Sequence, residues 1–325
     1  MEIRVYITQE IDVATWLQIA EGFNQSFESR NTTKDHLVEG SINNEFGFSY
    51  HALGFESDKV IAFNTIHPFR YYYGDIIVNV GLSGSTYTLK EYRKDIFIFS
   101  KLYSVLVDRC MKDGFTYFLG VPNENSYMYS IKFLGCKEVG KLSYYILPLR
   151  LSKVVNKPKL WIMDFISLPG SYMWCIISSI FSFFIRGKES IKYNRVLVSD
   201  TFLDKRFPRK YYESLRIDNY SYFYKIVDED GCKCAYIMDF RKEQKKNVKA
   251  LSKCIFRILF NEKVDAIIYI GTMNLCQLFL IKVPHKFDPK PLRLTYRMLE
   301  NNYLAVENME NIKDWDFSLL NLDVR

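Results

Sequence analysis

Between Val80 and Gly135 the spacing of apolar positions changes twice. Thr86 to Thr88 is β-branched and aromatic, and a basic turn follows. Phe99, Leu102, Tyr103, Leu106, Val107 and Cys110 then recur at three-four spacing, which predicts an amphipathic helix. Gly114 stands where its C-terminal cap belongs. Tyr117 to Val121 is a continuous apolar run, short enough for a buried strand, and a short helix comes next. A strand-turn-helix-strand order of this kind leaves N–H groups at a helix N-terminus, a ready site for phosphate.

Upstream, Met1 to Gln9 reads as an opening strand. Asp12 can cap a helix whose apolar face is Val13, Trp16, Leu17, Ala20, Phe23 and Phe27. Asn31 to Asn44 is polar, a loop with a short helix. Phe46–Phe55 and Lys59–Ile66 predict a hairpin that turns at Glu56-Ser57-Asp58 and ends at His67-Pro68. Phe69 to Asp75 reads as a loop leading into a strand from Ile76 to Leu82.

After Arg150 the pattern shifts. Ile166 to Ile185 contains no charged residue, a length that bears on a membrane span, on a helix lying at a membrane surface, and on a helix buried between domains. Pro169-Gly170 is expected to break the run, and Ser171, Ser178 and Ser182 line one side, so the buried helix is the preferred reading. The second half then repeats the first. A strand from Cys234 to Asp239, Phe240-Arg241-Lys242-Glu243, a helix with Val248, Leu251, Ile255 and Leu259, a strand from Val264 to Ile270 and a short helix from Gly271 parallel the earlier segment. Such agreement in spacing indicates an internal duplication. The expected domains are 1–150 and 191–325, joined by an apolar helical linker over 151–190. Trp315 to Val324 is a closing strand or a segment lying over a cleft.

Composition narrows the classes. The 325 residues, 48% of them hydrophobic, suffice for two cores. A net charge of +7 suits an anionic ligand, but it is diffuse and matches no nucleic-acid motif, so no nucleic acid is expected as a partner. Seven cysteines without regular spacing read as reduced thiols of a cytoplasmic protein, and Met1 to Glu10 lacks the apolar core of a secretory signal. Cys232 and Cys234 have no second pair to complete a zinc site, so no metal is expected.

The segments Tyr92-Arg93-Lys94-Asp95-Ile96-Phe97-Ile98-Phe99-Ser100-Lys101-Leu102-Tyr103 and Val121-Pro122-Asn123-Glu124-Asn125-Ser126 resemble the central motif of the GCN5-related N-acetyltransferases. Leu134-Gly135-Cys136 and the closing strand Tyr144 to Pro148 extend the resemblance over roughly residues 1–150. It implies an α/β fold with a mixed sheet, two tandem domains, and acetyl-CoA or another acyl-CoA as cosubstrate. The chain departs from the family where glycines normally let the backbone approach a diphosphate: those positions are Ile96 and Ile98.

By position, the resemblance assigns the pantetheine arm to Ser85, Thr86, Tyr87 and Thr88 and the diphosphate to the backbone of Arg93, Lys94, Asp95, Ile96, Phe97 and Ile98. Asn123 and Ser126 border the same site, and Asn123 can equally cap the helix behind it. Tyr129 is the nearest phenol to the slot of the thiolate-protonating acid, with Tyr127 next. His67 and Glu124 are the ionisable groups near strand ends that could serve as base for an incoming ammonium. Arg241 to Lys249 is read as a solvated basic loop or a vestigial phosphate site. The resulting expectation is an acyl-CoA-dependent N-acyltransferase acting on a small amine, such as an amino sugar of surface-polysaccharide assembly. A non-catalytic scaffold and an aminoacyl-tRNA-dependent ligase are the alternatives. Residues 166–185 add a membrane surface as a further partner.

Overall fold

The computed structural model describes residues 1–27, 31–184, 192–217, 219–243, 245–299 and 308–322; Ile185, Gln244, Asp323 and Val324, which belong to expected segments, lie outside them. From the N-terminus come β1 (Glu2–Ile7), α1 (Val13–Ser26), α2 (Lys34–Ile42), β2 (Tyr50–Glu56), β3 (Lys59–Tyr73) and β4 (Ile76–Thr88). Then follow α3 (Ile98–Lys112), β5 (Phe115–Gly120), α4 (Glu124–Phe133), β6 (Lys137–Lys141) and β7 (Ser143–Pro148). Next are α5 (Leu151–Val154), the long α6 (Trp161–Phe184), β8 (Asn194–Val196) and α7 (Asp200–Arg206). After these come β9 (Glu213–Ile217), β10 (Tyr220–Glu229), β11 (Cys232–Lys242), β12 (Lys245–Lys246) and α8 (Val248–Asn261). The last strands are β13 (Ala266–Gly271), β14 (Ile281–Lys282), β15 (Arg293–Met298) and β16 (Trp315–Asp316). The chain forms two compact units. One is Met1–Gly140 with Asp200–Arg206 and Leu292–Ile312, and the other is Lys141–Ser199 with Phe207–Pro291 and Lys313–Arg325.

The first unit is built on the strand order β1-β2-β3-β4-β5-β15-β6. Strands β1 to β4 form an antiparallel meander, and β5 joins β4 in parallel, with α3 as the crossover. Asp12 caps α1 by accepting from the Thr15 amide at 2.8 Å, and Trp16, Ala20 and Phe23 are buried as the pattern requires, together with Ile19, which the pattern does not include. Val13 and Leu17 are exposed instead, because the buried stripe is narrower than the apolar one. Leu102, Tyr103, Leu106, Val107 and Cys110 of α3 pack in the same core as Phe23, Phe63 and Phe118.

One boundary differs from the sequence reading. Strand β3 does not stop at His67-Pro68 but continues to Tyr73, pairing with β4 through Tyr73↔Ile76. Pro68 is tolerated there because β2 pairs with β3 only as far as Ile66, so the missing N–H breaks no bond with β2.

In the second unit the order is β14-β7-β13-β11-β10-β9. Strand β13 runs parallel to β11, and α8 buries Val248, Leu251, Ile255 and Leu259, the residues its periodicity nominates. The strand expected to close the first domain, β7, pairs here with β13 from Ser143↔Gly271 to Pro148↔Ala266. In the first unit the place beside β5 is taken by β15, through Tyr296↔Leu119 and Arg297↔Phe118. Residues Phe115 to Leu119 of β5 are all buried, so the strand must be covered on its far edge, and a segment some 180 positions later supplies the cover.

Helix α6 also departs from expectation. It runs without interruption through Pro169, and it is not buried: only 11% of its apolar window lies inside the protein. Ser167 and Ser171 hold the two sides of the proline by donating to Leu149 O at 2.9 Å and Pro148 O at 2.8 Å. These anchors offset a helix-interior proline that by itself costs about 3 kcal/mol.

A polar network threads the first unit where β1, β2 and β3 meet. His51 is wholly buried, 3.0 Å from both Thr8 Oγ1 and Thr65 Oγ1. Burial, and secondarily the His67 imidazole, hold its pKa well below the usual 6.5. The neutral ring therefore contributes stability that is complete above pH 6.5. It is lost as the pH falls below that value, because only the unfolded chain then takes up the proton. Denaturant midpoints measured against pH should fall below pH 6.5 by up to about 1.4 kcal/mol per unit, and His51→Gln should flatten that slope.

Candidate functional site

Strands β4 and β5 stay in register from Val80↔Tyr117 to Leu82↔Leu119 and then part. Strand β4 continues to Thr88 with β3 on one side only; no strand pairs with its β5-facing edge beyond Leu82 among the described residues. A bulge accompanies the divergence. Asn64 pairs with Thr86 and Ile66 with Ser83, so Thr65 alone faces Gly84 and Ser85. Backbone groups of Ser83 to Tyr87 are thereby presented to any extended, amide-bearing ligand laid in the opening, while Thr88 O is taken by Arg93. Ser85 is exposed, Thr86 donates to Phe63 O at 2.9 Å, and Tyr87 is buried in the core against Phe23. Asn64 is fully buried beside the bulge, and its amide finds no hydrogen-bond partner among the described residues. An orphan amide of this kind costs about 1–3 kcal/mol, a penalty tolerated where function fixes the residue.

His67 lies against the bulge. Its ring is so close to Gly84 that a Cβ there would stand 2.3 Å from Nε2. The other ring nitrogen, Nδ1, is 2.8 Å from Ser49 Oγ. That hydroxyl donates its one proton to Ser41 O at 2.6 Å, so it accepts from Nδ1–H. Nδ1–H is thus committed to Ser49, and Nε2 is the ring nitrogen that faces Gly84. Ser41, Ser49 and Gly84 were not nominated from the sequence. Small residues in a loop and a strand carry no signal until tertiary contact brings them to a histidine.

The turn into α3 has a different character. Ile98 is buried in the core and lines the cavity beside the turn, while Ile96 is half exposed. The amides at the helix start are nonetheless engaged. Asp95 Oδ1 accepts from the Phe97 amide at 2.9 Å, and the Tyr129 hydroxyl accepts from the Ser100 amide at 3.1 Å while donating to Ile96 O. Arg93 donates to Thr88 O at 2.9 Å and to Ser26 O at 3.4 Å, stapling the turn to the end of β4. Lys94 lines a cavity of about 450 Å³ with Ile3, Glu56, Glu91, Asp95 and Lys101. A carboxylate where a diphosphate would sit repels that group, and Lys101, 3.6 Å from Asp95, only partly compensates. The turn thus carries a carboxylate at its helix start, and the edge of β4 beside it is paired by no strand among the described residues.

Of the remaining nominated residues, Asn123 caps α4 by accepting from the Ser126 amide at 2.9 Å, and the Ser126 hydroxyl also bonds to Asn123 Oδ1. Glu124 is exposed in the first turn of that helix. Tyr127 donates to Glu138, which Arg293 also contacts at 3.1 Å. That hydrogen bond raises the phenol pKa. Among the described residues no His, Cys, Asp and Glu cluster suited to a metal occurs.

The second unit repeats the divergence and closes it. β11 and β13 pair up to Ile237↔Tyr269 and then separate. The segment from Trp315 to Ser318 lies along the end of β13. Gly271 pairs with Ser318, the Thr272 amide donates to Phe317 O at 3.0 Å, and Thr272 Oγ1 accepts from the Phe317 amide at 3.1 Å. A Cβ on Gly271 would come within 2.7 Å of Phe317 O, so only glycine admits this strand. Arg241 and Lys246 are not solvated loop residues, as their sequence context suggests, but are 1% exposed at the side chain. Arg241 bonds Asp239, and Lys246 reaches Asp316 at 3.1 Å, Tyr269 OH at 2.9 Å and Ser318 Oγ at 3.0 Å. Burial alone would raise the Asp316 pKa, but Lys246 and Arg241 outweigh it and hold the carboxyl below its usual value.

No protein-family model matches the sequence, and no curated protein is significantly similar to it. Solved structures do match. A GCN5-related N-acetyltransferase from Kribbella flavida superposes with a TM-score of 0.56 at 12% identity, over 92% of this chain and 72% of that one. A GCN5-related N-acetyltransferase from Anabaena variabilis gives a TM-score of 0.58 at 11% identity, over 91% and 73%. A protein from Enterococcus faecalis titled a probable N-acyltransferase gives 0.56 at 11%, over 92% and 73%. The chain has the fold of the GCN5-related N-acetyltransferases.

Proposed function

We propose that this chain is an N-acyltransferase with one working site, the opening between β4 and β5 of the first unit. The observation that supports it most directly is the open strand edge from Ser83 to Tyr87, with the His67 imidazole packed against the bulge at Gly84. The edge would hold an extended acyl-pantetheine arm by backbone hydrogen bonds, and the acceptor is a small amine. An amino sugar is the finer expectation carried by the resemblance. His67 would take a proton from the incoming ammonium at Nε2, and its charge would be shared through Nδ1–H with Ser49. Tyr129 serves the start of α3 as a cap, which argues for a positioning role rather than that of acid. The corresponding opening in the second unit is filled by the chain itself, which is why one site per chain is assigned.

Because Asp95 stands at the helix start, the nucleotide end of coenzyme A should add little to affinity. Calorimetry should find acetyl-pantetheine and acetyl-CoA binding within about thirtyfold of each other, since a helix-terminal charge is worth about 0.3–2 kcal/mol. Asp95→Asn should then tighten acetyl-CoA about fivefold and leave acetyl-pantetheine unchanged. Absence of binding by either thioester would transfer the chain to the non-catalytic alternative.

Once an acceptor is known, His67→Gln should lower kcat/KM about 10²-fold while the melting temperature stays within a few degrees of the parent. An unchanged kcat/KM would remove His67 from the reaction and leave only its packing against Gly84.

A further inference from the structure

Helix α6 is inverted relative to a surface helix in water. The stripe it turns toward the second unit consists of small polar residues, Ser167, Ser171, Cys175, Ser178 and Ser182, spaced three and four apart. The opposite side carries Ile162, Phe165, Ile166, Ile180, Phe181 and Phe184, which are 59–78% exposed. Phe260 of the neighbouring α8 extends the same surface, in ring contact with Tyr172 and 71% exposed. Leaving so much apolar area in water opposes the hydrophobic effect, and contiguous patches of this size mark sites covered by another apolar phase.

The charges beside the patch indicate which phase. Lys153, Lys157 and Lys159 are exposed immediately before the helix, and Arg257 is exposed one turn before Phe260. In the sequence Arg186 and Lys188 follow the helix, against the single acid Glu189. Trp161 and Trp174 are half exposed on the helix, the residue type that favours the boundary between headgroups and acyl chains. A second copy of this chain fits poorly where a two-fold pairing sets the N-terminal flanks side by side, because Lys153, Lys157 and Lys159 would meet their own like charges.

We propose that α6 is an in-plane membrane anchor that lays its apolar face into a bilayer surface carrying anionic lipid. It lies on the membrane rather than across it, because side chains along its length tie it to the rest of its unit. Ser167 bonds Leu149 O, Ser171 bonds Pro148 O, Trp174 Nε1 donates to Phe279 O at 3.1 Å, and Ser179 lies 3.1 Å from Ser252 Oγ. A spanning helix would have to give up every one of these bonds. The geometry matches an amphipathic helix held at the headgroup level by apolar burial and by attraction of lysine and arginine to anionic lipid. This inference stands apart from the proposed acyl transfer.

The test uses the full chain and vesicles of phosphatidylcholine with and without phosphatidylglycerol. The chain should float with the anionic vesicles, and neutralising one of Lys153, Lys157 or Lys159 should weaken partitioning about fivefold. The double substitution Phe165→Glu, Phe181→Glu should lower it at least about tenfold. Both positions are exposed, so an unchanged thermal melt would show that the variant is folded. Of the four tryptophans, Trp16 and Trp315 are buried, so a blue shift on adding vesicles reports Trp161 and Trp174. Lipids brominated near the headgroup should quench them more than lipids brominated at the chain ends. Failure to float with anionic vesicles would overturn the proposal. So would strongest quenching at the bilayer centre, or a dimer in light scattering that the double substitution dissolves.

Discussion

Two parallel strands that part company expose backbone hydrogen-bonding groups on both inner edges, and those groups must find partners. Much of this protein is arranged around that requirement. In the second unit the chain meets it internally: the segment from Trp315 to Ser318 lies along β13, and Arg241, Lys246, Asp239 and Asp316 balance two positive charges against two negative ones in the space that remains. Such a buried quartet is held by its hydrogen bonds and mutual charge, since any one member left alone would be costly to desolvate. In the first unit the edge from Ser83 to Tyr87 is left for something else to pair with.

The start of α3 shows how small changes redirect a site. A helix N-terminus attracts anions whatever the sequence, but the benefit goes to the nearest negative group. Here that group is the chain's own Asp95, assisted by the Tyr129 hydroxyl, and the arginine next to them is spent on carbonyl groups of Thr88 and Ser26. The missing glycines matter less than this self-capping. Ile98 is absorbed into the core and Ile96 is half exposed.

The same logic of partners applies to α6. Its serines find backbone carbonyls and a hydroxyl within the unit, which fixes how the helix is rolled, and that roll turns its large apolar side chains away from the protein. Proline in the middle is no barrier, because the anchors on either side keep the helical path.

Much of this was legible in the residues. The three-four spacing from Phe99 to Cys110 and from Val248 to Leu259 marked the crossover helices, Asp12 and Asn123 marked helix starts, and the repeated order of strand, turn, helix and strand marked the parallel strand pair of each unit. Those features are local: capping and periodicity act within a few residues of chain. The exchange of β7 and β15, the plug at β13, the pairing of His67 with Ser49 and Gly84, and the burial of Arg241 and Lys246 lay beyond it. Each joins residues from distant segments, and only the folded chain decides which distant group reaches a given edge or charge. The sequence by itself determined which elements form; tertiary structure decided which of their unpaired groups are satisfied from within and which are left open.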